Sequence, residues 1–164
     1  MLGDMAVGKT SIVRRLTLDR FEGNYKGTMG HEIFVYTVTG VGAGRDEALD
    51  LAIFDTDGGL GSALFQKNSA VKGATAAIIV GDVTRSRTIA TMAALAQNCD
   101  EFLPGRHVHF VLNKVDLLGD LLDSAVPPEL SGFSHPIERT SAASGHHIQK
   151  AFMDAANAIL RRGL

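Results

Sequence analysis

The sequence predicts an α/β fold with a mostly parallel sheet, one antiparallel edge strand and helices on both faces. Short apolar runs alternate with amphipathic segments, and the inner runs are almost continuously apolar, as in strands buried on both faces. The chain has 164 residues, of which 45% are hydrophobic and 21% charged. This length and composition suit one globular domain over residues 1–164.

Two β-rich runs, 33–38 and 49–54, flank the glycine-rich stretch 40–44 and predict a hairpin. Further strands are expected at 76–80 and 108–112, with a weaker one at 136–139. Helices are expected at 9–19, roughly 63–72, 89–101 and near the C-terminus. The last helix shows one apolar face, formed by Ile148, Phe152, Ala155, Ala156 and Ile159.

Composition excludes several classes of protein. The net charge of -2, from 16 basic and 18 acidic residues, gives no dense positive surface for nucleic acid. The single cysteine, Cys99, rules out a disulfide framework. We find no apolar run long enough for a membrane span, no signal peptide and no C-terminal cysteine for lipidation. We therefore expect a cytoplasmic monomer without a membrane anchor of its own.

A phosphate-binding motif opens the chain. Residues 3–10 match Gly-x4-Gly-Lys-Ser/Thr, and an amphipathic segment follows directly. Glycines let backbone amides and the helix N-terminus face phosphates, while Lys9 neutralises their oxygens and the Thr10 hydroxyl ligates magnesium. The residues expected at the phosphates are Gly3, Asp4, Met5, Ala6, Val7, Gly8, Lys9, Thr10 and Ser11. This motif predicts a nucleotide site.

A second motif, Asp55-Thr56-Asp57-Gly58, follows the second strand of the predicted hairpin. At that position Asp55 can hold a magnesium-bound water and the Gly58 amide can meet a γ-phosphate. Asp-x-x-Gly is common by chance, so its weight comes from its order and its place at a strand end.

A third motif selects the base. Asn113-Lys114-Val115-Asp116 ends the strand at 108–112, on the sheet edge where ligands of parallel α/β folds bind. The Asp116 carboxylate can accept hydrogen bonds from guanine N1 and the exocyclic amine, whereas adenine offers no such pair. Ser141 and Ala142 follow the last strand and can offer a backbone amide to the guanine carbonyl. We therefore predict GTP or GDP with Mg²⁺ as the ligands.

With these motifs in this order, the sequence resembles the Ras superfamily of small GTPases, nearest to its Ras and Rab branches, across essentially the whole chain. The resemblance implies a three-layer P-loop NTPase fold. It also implies that Phe21 packs beside the base, that Tyr25 closes over phosphate and that Thr28 binds magnesium.

The resemblance further assigns roles in the site. The implied catalytic residues are Lys9, Thr28 and Gly58, and the implied magnesium ligands are Thr10, Thr28 and Asp55. Asn113 and Asp116 would read guanine, with the Lys114 stem over the ring. Switch regions near 21–32 and 55–70 would bind effector and regulatory proteins, with Leu60, Leu64 and Phe65 as a candidate apolar patch.

The sequence departs from the family at the glutamine that orients the attacking water, since Gly59 stands there. Asp57 and Met5 also differ from the usual residues near the γ-phosphate. We therefore expect slow GTP hydrolysis. Three alternatives remain: a GTP-binding scaffold or pseudo-GTPase with negligible hydrolysis, a P-loop ATPase or nucleotide kinase, and an inactive fragment.

Only Met1 and Leu2 precede the phosphate motif, where the family fold needs a buried strand of about five to six residues. This predicts an N-terminally truncated chain or a rearranged sheet.

Overall fold

The computed structural model describes residues 1–21, 31–42, 44, 47–58, 69–119 and 125–163. The strands are β1 (Leu2–Gly3), β2 (His31–Val41), β3 (Glu47–Thr56), β4 (Ala76–Asp82), β5 (His107–Asn113) and β6 (Ile137–Arg139). The helices are α1 (Lys9–Leu18), α2 (Ser69–Lys72), α3 (Ser86–Phe102) and α4 (Ile148–Arg161). Short 3₁₀ turns cover Val115–Leu117 and Pro128–Leu130.

The strands form a parallel sheet in the order β1-β4-β5-β6 and a separate antiparallel pair, β2-β3. The predicted α/β fold and the predicted hairpin are confirmed. One detail differs, because the hairpin is a two-stranded sheet of its own and not an extension of the parallel ladder. Since β1 has two residues, it is too short to pair along the length of β3.

Two hydrogen bonds join the hairpin to Met1, the residue before β1. The Met1 amine donates to the Phe54 carbonyl, and the Thr56 hydroxyl donates to the Met1 carbonyl, each at 2.8 Å. A cavity of about 530 Å³ lies between β3 and β4, near the first residues of β4. Apolar side chains of α4 and the two strands line much of it, including Ile53, Phe152 and Ala155.

Alternating residues of the inner strands pack on opposite faces of the sheet. On β4, Ala77 and Ile79 join the core that includes Met92 and Leu95 of α3. Ile78 and Val80 instead join the core formed with α1 and α4, where the largest buried side chains are those of Phe152 and Ile12. The near-continuous apolar runs of β4 and β5 therefore reflect burial on both faces, and they build the three predicted layers.

The helices lie close to their expected positions. The helix expected at 9–19 spans Lys9–Leu18, and the helix expected at 89–101 begins earlier, at Ser86. The C-terminal helix begins at Ile148 and contains the expected apolar face. Of the helix expected at 63–72, the described part is Ser69–Lys72. None of the helices in the described ranges combines the length and apolar character needed to cross a membrane.

Candidate nucleotide-binding site

The phosphate loop runs from the end of β1 to the start of α1, and its two motif glycines are required by geometry. Gly3 has φ 144°, and a Cβ there would lie 2.3 Å from the Val80 carbonyl oxygen. Gly8 has φ 100°, and its Cβ would lie 2.4 Å from Nδ2 of Asn113. The glycines therefore let the loop lie directly against the ends of β4 and β5.

Three successive carbonyls of this loop accept hydrogen bonds from side chains at the strand ends. The pairs are Arg85 Nη2 with Met5 at 3.0 Å, Lys114 Nζ with Ala6 at 2.9 Å and Asn113 Nδ2 with Val7 at 2.9 Å. Because these carbonyls are held toward the strand ends, the intervening amides are free to face a bound anion. The loop has the architecture of a phosphate cradle.

Lys9 occupies the first turn of α1 and is buried. Its ammonium donates to the carbonyls of Gly3 at 2.9 Å and Asp4 at 3.0 Å, so it spans the loop. Burial lowers the pKa of Lys9, although the nearby carboxylates of Asp55, Asp4 and Asp57 act in the opposite direction. Ser11 follows in the same turn and is half-buried.

Two of the predicted magnesium ligands meet below the loop. The Thr10 hydroxyl donates to Oδ2 of Asp55 at 2.5 Å, and Asp55 is fully buried. Its other oxygen, Oδ1, has no hydrogen-bond partner in the described part of the chain. Burial raises the pKa of Asp55. A buried carboxylate oxygen beside a hydroxyl is the oxygen donor set that Mg²⁺ prefers, so these residues fit the ion. Thr28, the third predicted ligand, lies outside the described residues.

Gly58 lies against the phosphate loop. A Cβ at Gly58 would be 2.6 Å from the Met5 nitrogen and 2.7 Å from the Met5 Cα, so a larger residue would force the two backbones apart. The Met5 side chain points outward and is 60% exposed. Gly59, like Leu60, Leu64 and Phe65, lies outside the described residues.

The predicted base motif lies beside the loop. Asn113 is buried, and its Oδ1 accepts hydrogen bonds from the Ala142 amide at 3.1 Å and the Thr140 hydroxyl at 3.2 Å. Oδ1 of Asp116 accepts a hydrogen bond from the Ser141 hydroxyl at 2.5 Å. The structure therefore places the base motif and the loop after β6 in contact. Phe21 is exposed at the end of a described segment, and Tyr25 lies outside the described residues.

Sequence reasoning missed Asp82, a buried carboxylate between the base motif and the phosphate loop. Its Oδ2 lies 2.7 Å from Lys114 Nζ and 3.0 Å from Arg85 Nε, and its Oδ1 accepts two hydrogen bonds from Thr84. Burial alone would raise the pKa of Asp82, but the hydrogen bonds from Lys114 and Thr84 hold it below its ordinary value. Asp82 directly follows an apolar run and Gly81, and this strand-end signal is the one that identified Asn113.

Arg15 of α1 was also missed. Its Nε donates to the Ala142 carbonyl at 3.0 Å and its Nη2 donates to the Ala143 carbonyl at 2.6 Å. These partners are more than 120 residues apart along the chain, so no sequence spacing could have indicated the contact.

Comparison with known proteins identifies the family to which this site belongs. A sequence model described as the Ras family matches residues 1–161. The chain belongs to the Ras family. It is 30% identical to Ras-related protein Rab-10 of Caenorhabditis elegans, over 99% of this chain and 80% of the relative.

Two further relatives of this Ras-family chain carry Rab names. It is 27% identical to the Ypt/Rab-type GTPase YPT7 of Saccharomyces cerevisiae, over 99% of this chain and 80% of the relative. It is also 27% identical to Ras-related protein Rab-22A of Canis lupus familiaris, over 97% of this chain and 81% of the relative. The predicted resemblance to Ras and Rab proteins is confirmed, and the Ras-family chain is a GTP-binding small GTPase.

Proposed function

We propose that this small GTPase binds GTP and GDP with magnesium, hydrolyses GTP slowly and signals through the segments near 21–32 and 55–70. The observation that supports the site most directly is the set of three loop carbonyls held by Arg85, Lys114 and Asn113. The same side chains that orient the phosphate loop therefore belong to, or adjoin, the base motif. One ligand carrying both phosphates and a base matches this arrangement.

For phosphate binding, the amides of residues 6–8 and the N-terminus of α1 would provide donors, and the Lys9 ammonium would neutralise phosphate oxygens. The Met5 amide instead donates to Oδ1 of Asp4 at 2.7 Å. Burial desolvates Lys9, and its hydrogen-bond partners in the described residues are the carbonyls of Gly3 and Asp4. An anionic ligand would supply the compensating charge. Phosphate binding is therefore expected to stabilise the loop as well as hold the nucleotide.

For magnesium, Thr10 and Asp55 would be the ligands in the described residues, and Thr28 would be the third. Magnesium supplies charge neutralisation between the phosphates of the bound nucleotide. The unpartnered Oδ1 of Asp55 supports this assignment, because a buried carboxylate oxygen without a partner is costly. Asp55 would also hold the Thr10 hydroxyl in place.

For the base, Asp116 would accept hydrogen bonds from guanine N1 and the exocyclic amine, using carboxylate lone pairs beyond the one taken by Ser141. The Ala142 amide donates to Oδ1 of Asn113. With guanine bound, this amide would either turn toward the guanine carbonyl or share its hydrogen between the two oxygens. Adenine would leave the Asp116 carboxylate unpaired. GTP should therefore compete far better than ATP, which separates this proposal from a P-loop ATPase or nucleotide kinase.

Slow hydrolysis follows from the residue after Gly58. Glutamine at that position orients the attacking water in Ras-type enzymes, and Gly59 has no side chain to do so. The Gly58 backbone packs on Met5 of the phosphate loop, which supports a role for Gly58 beside the γ-phosphate. We expect single-turnover hydrolysis below the roughly 10⁻⁴ per second that is typical of unassisted Ras-type enzymes.

A single-turnover assay with GTP and magnesium tests this expectation. Gly59→Gln should raise the rate, whereas the matched Gly59→Ala, which adds a side chain without an amide, should not. Wild-type hydrolysis as fast as that of an unassisted glutamine-containing enzyme, or a Gly59→Gln rate equal to that of Gly59→Ala, would contradict the proposal.

The alternative is a GTP-binding scaffold with negligible hydrolysis, and Gly59 together with the outward-facing Met5 favours it. Met5 stands beside Gly58 and would obstruct a catalytic group brought by a partner protein. Bound GTP that persists unhydrolysed for days, with or without added partner, would support the scaffold. Measurable turnover would exclude it.

The partner surface is expected to include the first switch region and the start of β2. Ile33 and Val35 of β2 are 57% and 69% exposed, although both are apolar. Large exposed apolar side chains beside a nucleotide-sensing segment suit a protein that binds in one nucleotide state. Replacing both by serine should weaken effector binding and leave GDP affinity unchanged.

A further inference from the structure

The loop that follows β6 is clamped by a side chain of the helix that follows the phosphate loop. Arg15 donates from Nε to the Ala142 carbonyl at 3.0 Å and from Nη2 to the Ala143 carbonyl at 2.6 Å. Its third nitrogen, Nη1, donates to the Asp19 carboxylate at 3.1 Å. All three guanidinium nitrogens therefore have partners, and the planar group is fixed in orientation.

The surroundings of Arg15 restrict it further. Its side chain is 20% exposed, and its Cδ lies 3.8 Å from the position that a Cβ would take at Gly145. Asp19, which pairs with it, ends α1 with φ 49°. The clamp is therefore partly shielded from water, where a hydrogen bond to a charged donor contributes more than at the surface.

The clamped loop is a short closed turn. The Gly145 amide donates to the Ser141 carbonyl at 2.8 Å, so a backbone hydrogen bond closes the turn over residues 141–145. Holding the carbonyls of Ala142 and Ala143 fixes the peptide planes on the C-terminal side of Ala142. The direction of the Ala142 amide, which precedes them in the same turn, is thereby restricted.

We infer that Arg15 is a positioning residue for base recognition, which sets the Ala142 amide against the guanine carbonyl oxygen, O6. This inference rests on the proposed guanine site. Because α1 begins at Lys9, one helix carries both a phosphate-binding residue and the clamp on the base loop. The position of α1 therefore affects both phosphate binding and base recognition.

The test compares two nucleotides in the full chain. GDP carries the O6 carbonyl, and 2-aminopurine riboside diphosphate lacks both this carbonyl and the N1 proton while keeping the exocyclic amine, so each variant is compared with the wild type on the same nucleotide. Arg15→Met should weaken GDP binding about tenfold, as expected for losing hydrogen bonds from a charged donor. Binding of the O6-free analogue should weaken less than about threefold, since that analogue makes no contact that depends on the Ala142 amide.

Arg14→Met is the matched control. Arg14 precedes Arg15 on α1 and is half-buried, and its guanidinium lies 4.0 Å from Glu32 and not on the base loop. It should leave the affinities for both nucleotides unchanged. Arg15→Lys keeps the charge but cannot bridge two carbonyls with a planar fork, and should give an intermediate loss for GDP alone.

Each outcome decides between the explanations. Equal losses for both nucleotides would show a merely structural role, and no loss for GDP would show that the clamp is dispensable, so either result overturns the inference. If Arg15→Met does not fold, the loss of GDP affinity is compared with the loss of analogue affinity for Arg15→Lys and Asp19→Asn instead, and the larger loss should again be that for GDP. Failure of the wild type to bind GDP would instead refute the proposed function itself.

Discussion

The hydrogen bonds of Asn113 predict a large loss of stability when its side chain is removed. In Asn113→Ala the Val7 carbonyl loses its donor, and the Ala142 amide and Thr140 hydroxyl lose their acceptor. All three contacts are buried. The variant should therefore leave polar groups unsatisfied in the interior as well as create a small void.

The magnitude follows from these contacts. A buried hydrogen bond contributes about 1 kcal/mol net, and an orphaned partner costs about 1 to 3 kcal/mol. Since the three groups share one side chain and relax together, their costs do not add fully. We expect the free energy of unfolding to fall by about 3 kcal/mol, which corresponds to a drop in Tm of roughly 6 to 12 °C for a domain of this size.

Urea denaturation at two GDP concentrations measures this change, because the contribution of ligand binding can then be subtracted. Asn157→Ala is the matched control, since Asn157 makes a single partly buried bond, accepting from the Gly42 amide at 3.0 Å. It should cost about 1 kcal/mol. If Asn113→Ala costs no more than Asn157→Ala, the reasoning from these contacts is wrong.

Three further variants or conditions have expected outcomes. Asp82→Asn should speed GDP release about tenfold, because the Lys114 ammonium loses the carboxylate 2.7 Å away, and an unchanged release rate of fluorescent GDP would contradict this. Burial lowers the pKa of His107 from 6.5 to about 4 and lowers that of His109. The unfolded chain therefore takes up these protons first, so the contribution of the two histidines should be constant above about pH 6.5 and stability should fall toward pH 4, and urea titrations should show a flatter fall when both are replaced by glutamine. Ala155→Met should partly fill the cavity between β3 and β4 and raise stability by about 0.5 to 1 kcal/mol, and a lower Tm by calorimetry would show that the space cannot accept the side chain.

Much of the site could be predicted because its signals are local. The phosphate loop requires glycine where its backbone has positive φ or lies against another strand. Gly3 and Gly8 occupy such positions, and both are visible in the sequence motif. Asn113 ends an apolar strand, and that position helped to predict its role. Asp82 also ends an apolar strand, but our sequence reasoning did not apply the same pattern to it. The two-sided burial of β4 is likewise visible as a continuous apolar run.

The remaining features depend on tertiary contacts. Nothing near Arg15 in the sequence distinguishes it from Arg14, yet Arg15 clamps the base loop and Arg14 is half-buried beside Glu32. The separation of the hairpin from the parallel sheet depends on how far β1 can pair with its neighbours. Strand pairing across a sheet is set by packing and register, which composition does not reveal.

The polar groups of the site explain why ligand binding and folding should be coupled in this chain. Lys9 is buried against carbonyls, and a buried oxygen of Asp55 has no partner in the described residues. Each of these groups raises the free energy of the ligand-free fold, and each would gain a compensating charge from a magnesium-bound nucleotide. Asn113 and Arg15 connect the phosphate-binding part of the site to the base-binding part. The stabilisation by a bound nucleotide should therefore extend over both parts of the site. GDP with magnesium should therefore raise the Tm by more than either component alone.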